Sequence, residues 1–350
     1  MYILKTNTGG VALKRIICAC LAAALVLLCL SCCGKEKKYT EYSFDYFDTV
    51  TTVTGYAPSK AEFDKAVSLI MSELEVYHKL CDIYNEYDGV NNLATVNKLT
   101  DGGHGEIKVD GRIIDLIEFS REMYRLTDGR TNIAMGSVLS VWHRYREAGK
   151  EVPPEDVLKK ASDHCDINDV ITDRENSTVY LADSEMTLDV GAVAKGYAVE
   201  QTAKLLEETG VTGYVLNVGG NVRCIGPQAD GSPWTVGVEN PREGDAYVAK
   251  LALEDASLVT SGDYQRYYTV DGVRYHHIID PETLFPSERF ASVSVLSDDS
   301  GIADALSTAL FSMDVEEGMS LVRTLENTYA MWVKTDGTVC YSAGFEDYTE

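Results

Sequence analysis

Ten residues, LDVGAVAKGY from Leu188 to Tyr197, constrain this chain more than any others. Met186, Leu188 and Val190 alternate as apolar positions and predict the end of a buried strand, with Asp189 among them. The second half opens a helix predicted to run to about Glu208, with Gly210 as its stop. Gly191, Ala192, Ala194 and Gly196 have almost no side chain, which lets a ligand lie close to the backbone. The free N–H groups of a helix start favour an anion, and Lys195 adds a positive charge one turn in. Asp189 needs a partner, because a carboxylate at the end of an apolar strand is costly alone. An ordinary strand–helix junction with a solvated Asp189 accounts for these ten residues equally well. The argument for function therefore needs the rest of the chain.

That rest is strongly acidic. The chain of 350 residues has 31 Lys and Arg against 55 Asp and Glu, a net charge of −24. Such a surface repels nucleic acid and anionic lipid, so no nucleic-acid partner is expected. A phosphate-bearing ligand would be repelled too, unless a metal or local Lys and Arg residues compensate. A 45% hydrophobic content is enough for a real core in one large domain or two ordinary ones. Of nine cysteines, five fall in the first 33 residues; Cys81, Cys165, Cys224 and Cys340 are scattered, which is neither a zinc pattern nor a disulfide framework.

Lys14-Arg15, the apolar run Ile16 to Leu30 and then Ser31-Cys32-Cys33-Gly34 read as a secretory signal over residues 1–33. The run is too short for a comfortable membrane span. LSCCG also resembles a bacterial lipobox, with Cys33 the best-placed lipidated residue and Cys32 the alternative. The expected location is the outer face of the bacterial cell membrane, held by a lipid anchor. Residues 34–41 read as a polar tether and 42–350 as the functional domain.

Within that domain, Phe44–Tyr56 predicts a strand and Lys60–Ile83 an amphipathic helix. Further helices are expected at Arg112–Leu126, Glu155–Ala161 and Ile302–Met313. Val179–Leu181 and Met186–Val190 read as a strand pair. Hairpins are expected about Gly219-Gly220, Asp271-Gly272 and Asp336-Gly337. Strands and helices mix without regular βαβ alternation, which predicts an α+β fold.

Three further segments carry chemistry. In ADALSTALFSM, Asp304 and Thr308 stand at i and i+4 on one helix face, an all-oxygen pair suited to magnesium rather than zinc. Asp304 alone would equally complement the helix dipole. His276-His277 end a strand, and alternation sends the two imidazoles to opposite faces, so at most one enters a site. Asp280 stands close enough in sequence to orient it. TSGDYQR, Thr260 to Arg266, either caps a turn or contacts a ligand.

Together, LDVGAVAKGYAVE, YVLNVGGNVRCIG, TSGDYQRYYTVDGVRYHHIIDP and the ADALSTALF helix resemble, in order and spacing, the ApbE family, the FAD:protein FMN transferases. The resemblance extends from about Phe47 to Met313. TNIAMGSVLSVW is similar to the family's FAD-contacting segment, with Asn132 and Ser137 in place of its usual Asp and Pro. The resemblance implies a single two-lobed domain, related to the T-fold, with mixed, mainly antiparallel sheets and packed helices. It also implies FAD contacts from Phe47, Tyr84, Ala134, Met135, Gly136, Asp189, Lys195 and Ile279. Mg2+ would be held by the carbonyl of Ala192 with Asp304 and Thr308, and His277 would lie near the reacting diphosphate. The implied reaction moves FMN from FAD onto a Thr or Ser hydroxyl of an acceptor protein, such as an electron-transport or reductase subunit, and releases AMP. A magnesium-dependent FAD pyrophosphatase and a non-enzymatic flavin-binding lipoprotein are the rival readings.

Overall fold

Burial of every second residue sets the architecture. In the strands Thr51–Ala57 (β2) and Tyr214–Val218 (β6), alternate residues are buried and the rest half-buried, as for a sheet with both faces covered. Tyr214, Leu216 and Val218 face a helical layer, while Val215 packs on the opposite side with Trp234. A computed structural model describes residues 36–98, 105–243 and 246–350. The apolar run Ile16 to Leu30 and the pair Cys32-Cys33 lie outside the described residues.

The remaining strands are Lys37–Ser43 (β1), Ile107–Lys108 (β3), Val170–Asp173 (β4), Thr178–Leu181 (β5), Asn221–Ile225 (β7), Trp234–Glu239 (β8), Tyr247–Leu253 (β9), Ser257–Gly262 (β10), Tyr267–Val270 (β11), Val273–His276 (β12), Phe290–Ser297 (β13), Tyr329–Lys334 (β14) and Val339–Tyr341 (β15). The main sheet has eight strands in the order β1-β2-β6-β7-β10-β13-β14-β15. Every neighbouring pair in it is antiparallel. All eight residues of β13 are buried, as befits a central strand covered on both faces. One face is covered by helices, principally Lys60–Cys81 (α1), Ala194–Glu208 (α6) and Ser300–Phe311 (α7). The other face packs on the β8–β9 ribbon through Trp234, Val236, Val238 and Leu251. The remaining helices are Leu93–Lys98 (α2), Gly111–Leu126 (α3), Gly136–Ala148 (α4), Glu155–Ser162 (α5) and Val315–Val322 (α8). The fold is α+β, as the sequence predicts. Among the described residues no helix is long and apolar enough to cross a membrane.

Three boundaries differ from the sequence reading. Residues 37–41, read as tether, belong to β1, which pairs with β2 from Lys37↔Ala57 to Ser43↔Thr51. Its Lys- and Glu-rich composition suits a sheet edge. Phe44–Val50 is a turn rather than the start of a strand, with Phe47 and Asp48 in the left-handed region at φ 54° and 51°. Met186–Val190 belongs to no sheet. Side-chain and loop partners hold it instead: Asn97 donates from Nδ2 to Leu188 O (2.9 Å) and accepts from Leu188 N (2.7 Å), and Asp189 N donates to Ile133 O (2.8 Å). β5 lies instead between β3 and β4 in a three-stranded antiparallel sheet, paired with β4 from Val170↔Leu181 to Asp173↔Thr178.

Candidate active site

Two helices meet at unusually close range, and glycine makes this possible. A Cβ on Gly196 would lie 2.3 Å from both Ser300 O and Asp304 Cβ. Gly196 therefore makes room for the neighbouring helix, where the sequence reading had made room for a ligand. Asp304, 3% exposed, reaches across this contact and accepts a hydrogen bond from Gly196 N at 2.7 Å through Oδ2. The anion expected at the start of α6 is thus Asp304 itself. Its other oxygen, Oδ1, lies 3.7 Å from Lys195 Nζ, which also donates to Asn221 Oδ1 at 3.4 Å. A second tie holds the same helices together: Ser300 N donates to buried Glu200 Oε2 at 2.9 Å.

Asp304, Thr308, Ala192 and Lys195 line one end of a cleft of about 880 Å³. That volume lies in the upper part of the range for small-molecule and cofactor sites, large enough for a dinucleotide. Asp304, the Thr308 hydroxyl and the Ala192 carbonyl are hard oxygen donors. No group of three or more His, Cys, Asp and Glu able to hold a metal occurs among the described residues. A single carboxylate with neutral oxygens fits magnesium, which keeps positions for water and substrate phosphate. The same set does not fit zinc.

Both His276 and His277 line the cleft, and their hydrogen bonds set them apart. His276 is 7% exposed; its Nε2 donates to Ser287 O at 2.7 Å and its Nδ1 accepts from Ile278 N at 3.2 Å. Its ring packs edge-on to Phe311, so it staples the strand end to α7. Half-buried His277 lines the cleft. Its backbone N–H donates to Arg266 O at 3.1 Å, and its Nδ1 sits 3.3 Å from the same carbonyl. A carbonyl only accepts, so Nδ1 carries the proton and Nε2 keeps its lone pair. Burial pushes the His277 pKa down to about 4, with the positive charge of Arg266 adding to it and His276 and Lys195 following. His277 is therefore a neutral base near neutral pH, with Lys195 linking it electrostatically to Asp304. Asp280 does not orient it. Asp280, 1% exposed, accepts from Arg130 Nη1 (3.2 Å) and Arg289 Nη1 (3.4 Å) and so anchors the strand end.

Much of the remaining lining comes from outside the long helices and strands. Phe47, Tyr84, Met135, Asp189 and Ile279 all line the cleft. Phe47 sits edge-on to His78 and donates its backbone N–H to His78 Nδ1 at 3.2 Å. Tyr84 spans to α4, its hydroxyl 2.8 Å from His143 Nδ1. Burial raises the Tyr84 pKa to about 12, helped by the negative charge of Asp189, and burial lowers that of His143, helped by Arg146. Burial also raises the Asp189 pKa, opposed by the Gly191 N–H, which donates to its Oδ1 at 2.8 Å. Ala134 is fully buried and Gly136 is packed so tightly that a Cβ would lie 2.3 Å from Thr187 O; neither lines the cleft. Asn132 does line it, and its Oδ1 caps Ala134 N at 2.9 Å. Sequence reasoning missed Arg130, Arg146, His143 and Tyr275 as lining residues, because nothing local distinguishes them from ordinary helix and strand surface.

Fold and site thus define a class: an α+β protein whose oxygen-donor corner and neutral imidazole share one dinucleotide-sized cleft. The ApbE family model matches residues 47–332. The chain is 31% identical over 344 residues to the FAD:protein FMN transferase of Treponema pallidum (strain Nichols), covering 92% of this chain and 93% of that protein. It is 28% identical over 346 residues to the FAD:protein FMN transferase of Vibrio cholerae, covering 94% and 96%. The crystal structure of the ApbE protein from Thermotoga maritima matches with a TM-score of 0.79 at 27% identity, over 90% of this chain and all of that one. The chain belongs to the ApbE family.

Proposed function

We propose that this protein is an FAD:protein FMN transferase that moves FMN from FAD to a Thr or Ser hydroxyl of another protein. The observation that carries the reading is the pairing, in one cleft, of a neutral His277 whose Nε2 is free to take a proton with the oxygen corner at Asp304. The names of the curated relatives support it. Ala192, Asp304 and Thr308 would hold magnesium, which supplies charge neutralisation for a diphosphate in an otherwise acidic protein. His277 Nε2 takes the acceptor's hydroxyl proton as its oxygen bonds to the FMN phosphorus. The bond from that phosphorus to the bridging oxygen breaks, and AMP leaves with the bridging oxygen. Lys195 screens Asp304 and faces the same phosphates. Phe47, Tyr84, Met135 and Ile279 offer apolar surface for the rings.

The test incubates the purified protein with FAD, magnesium and a candidate flavin-carrying domain. In-gel flavin fluorescence on the domain with stoichiometric AMP is the expected result. FMN found only free in solution would replace this reading with a pyrophosphatase. The basic, apolar and Cys33 segments further support attachment to the outer face of the membrane by a lipid on Cys33, or on Cys32. One acyl chain anchors only marginally, so a diacyl group is expected. Mass spectrometry of the membrane-extracted N-terminus reads this directly, and an unmodified Met1 would overturn it.

A further inference from the structure

Four Lys and Arg side chains line the cleft, and they divide into two kinds. Lys195 stands beside Asp304 at 3.7 Å, and Arg130 is held by Asp280 at 3.2 Å and Glu282 at 2.8 Å. Arg146 and Arg266 have no carboxylate within 4.0 Å among the described residues. The carboxylates nearest them are Asp189, whose charge both arginines feel, and Asp48, which lines the same space; neither forms an ion pair with them, so both guanidinium forks keep N–H donors for a ligand.

Their position says what such a ligand meets. Both also line a shallower recess of about 500 Å³, with Asp48, His143, Gln265 and Tyr267. All of these but Tyr267 line the main cleft as well, so the two spaces are continuous. Ala192, Lys195, Asp304 and Thr308 line only the inner cleft. The recess is therefore the cleft's outer mouth, away from the oxygen corner. Tyr267 there is 44% exposed, with the Arg274 guanidinium 4.3 Å above its ring. An exposed aromatic beside unpaired arginines is the composition of a protein-binding surface. The carbonyl of Arg266 holds the His277 ring at 3.3 Å, which puts the backbone of this recess residue beside the base.

We propose that this recess receives an acidic segment of the acceptor protein, with Arg146 and Arg266 pairing carboxylates that flank the hydroxyl to be modified. The proposal rests on the transferase reading. Arginine's planar fork suits carboxylates in two-point contact. It also gives an acidic enzyme an attractive point for a partner that its overall field would repel.

The test uses the full-length protein and a threonine-bearing acceptor domain that the parent enzyme labels in-gel, in two versions. One keeps the Asp and Glu residues next to the threonine; the other carries Asn and Gln there. Arg146→Glu should raise KM for the acidic acceptor about tenfold at low salt and leave kcat and the KM for FAD within about twofold. The parent should lose a similar factor on the neutralised acceptor, and Arg146→Glu should not discriminate between the two. Added salt should raise KM for the parent far more than for Arg146→Glu. If KM for the acceptor is unchanged in Arg146→Glu and in Arg146→Gln, the proposal fails while the transferase reading stands. A raised KM for FAD with an unchanged acceptor KM would assign the arginines to the flavin nucleotide and overturn it too. A parent enzyme that labels no acceptor and releases free FMN overturns the transferase reading itself, and this proposal with it.

Discussion

The two ends of the cleft are built on opposite principles. At the inner end, Asp304, Thr308 and Lys195 sit on two helices in near-contact, fixed by the Gly196 approach and by the Gly196 and Ser300 N–H bonds to Asp304 and Glu200. In the part proposed to hold the rings, Phe47, Tyr84 and Asp189 come from turns and irregular segments and Met135 from the end of a short 3-10 helix, with Phe47 and Asp48 in left-handed backbone. Charge chemistry tolerates little displacement, because effective positioning and electrostatics fall off steeply with distance. Ring binding by apolar area tolerates more. On the transferase reading, the difference puts rigidity where the phosphates would react and adaptability where the rings would be gripped.

If that contrast is right, substitutions should rank by end. Asp304→Ala should have the largest effect, about 10³-fold or more on kcat/KM, since a metal ion's charge stabilisation is worth several kcal/mol. The magnesium concentration for half-maximal rate should rise in the milder Thr308→Val; an unchanged titration in both variants would break the assignment. His277→Ala should slow transfer by about 10²–10⁴-fold with little change in the KM for FAD. His276→Ala should instead lower Tm, because it loses the Ser287 and Phe311 contacts.

The pH profile sharpens the point. With the His277 pKa near 4, the base is already unprotonated at pH 6. The kcat/KM, which reports the free enzyme, should therefore rise with pH through about 4 and run level from 6 to 7. A histidine in water would place the rise near 6.5. The same depression has a stability consequence. The unfolded chain protonates this histidine near 6.5 and the folded one near 4, so stability falls as pH drops through that window. Chemical denaturation of the parent and of His277→Ala at pH 4.5 and 7.5 measures it, and an equal pH dependence in both would refute it.

Gly196→Ala tests the rigid end without removing any metal or catalytic side chain. Its Cβ would push into Ser300 O and Asp304, so a loss of about 1–3 kcal/mol in stability is expected, together with a raised magnesium requirement. Tyr84→Phe, at the adaptable end, should be the mildest. Losing the hydroxyl contact with His143 should raise the KM for FAD about two- to tenfold with kcat unchanged.

The local sequence was enough for the helices Lys60–Cys81, Gly111–Leu126 and Ser300–Phe311 and for the hairpin turns at Gly219-Gly220, Asp271-Gly272 and Asp336-Gly337, because periodicity and turn chemistry act over a few residues. Helical spacing put Asp304 and Thr308 on one face, whereas alternation did not keep His276 off the cleft wall; its two ring-nitrogen bonds, not its direction, set it apart from His277. Tertiary structure decided the rest. Met186–Val190 looked like a strand, but no neighbouring strand reached it; Asn97, distant in sequence, supplied its partners. Gly196 looked like room for a ligand and proved to be room for Asp304. Ala134 and Gly136 were turned into the core by the packing of their own helix start against Thr187 and its neighbours. Arg146 and Arg266 acquired meaning only when the fold set both on the wall of one recess, with no ion pair among the described residues. The physical reason is range: propensity and alternation are properties of neighbours along the chain, whereas pairing, burial and close approach depend on which distant residues the fold brings together.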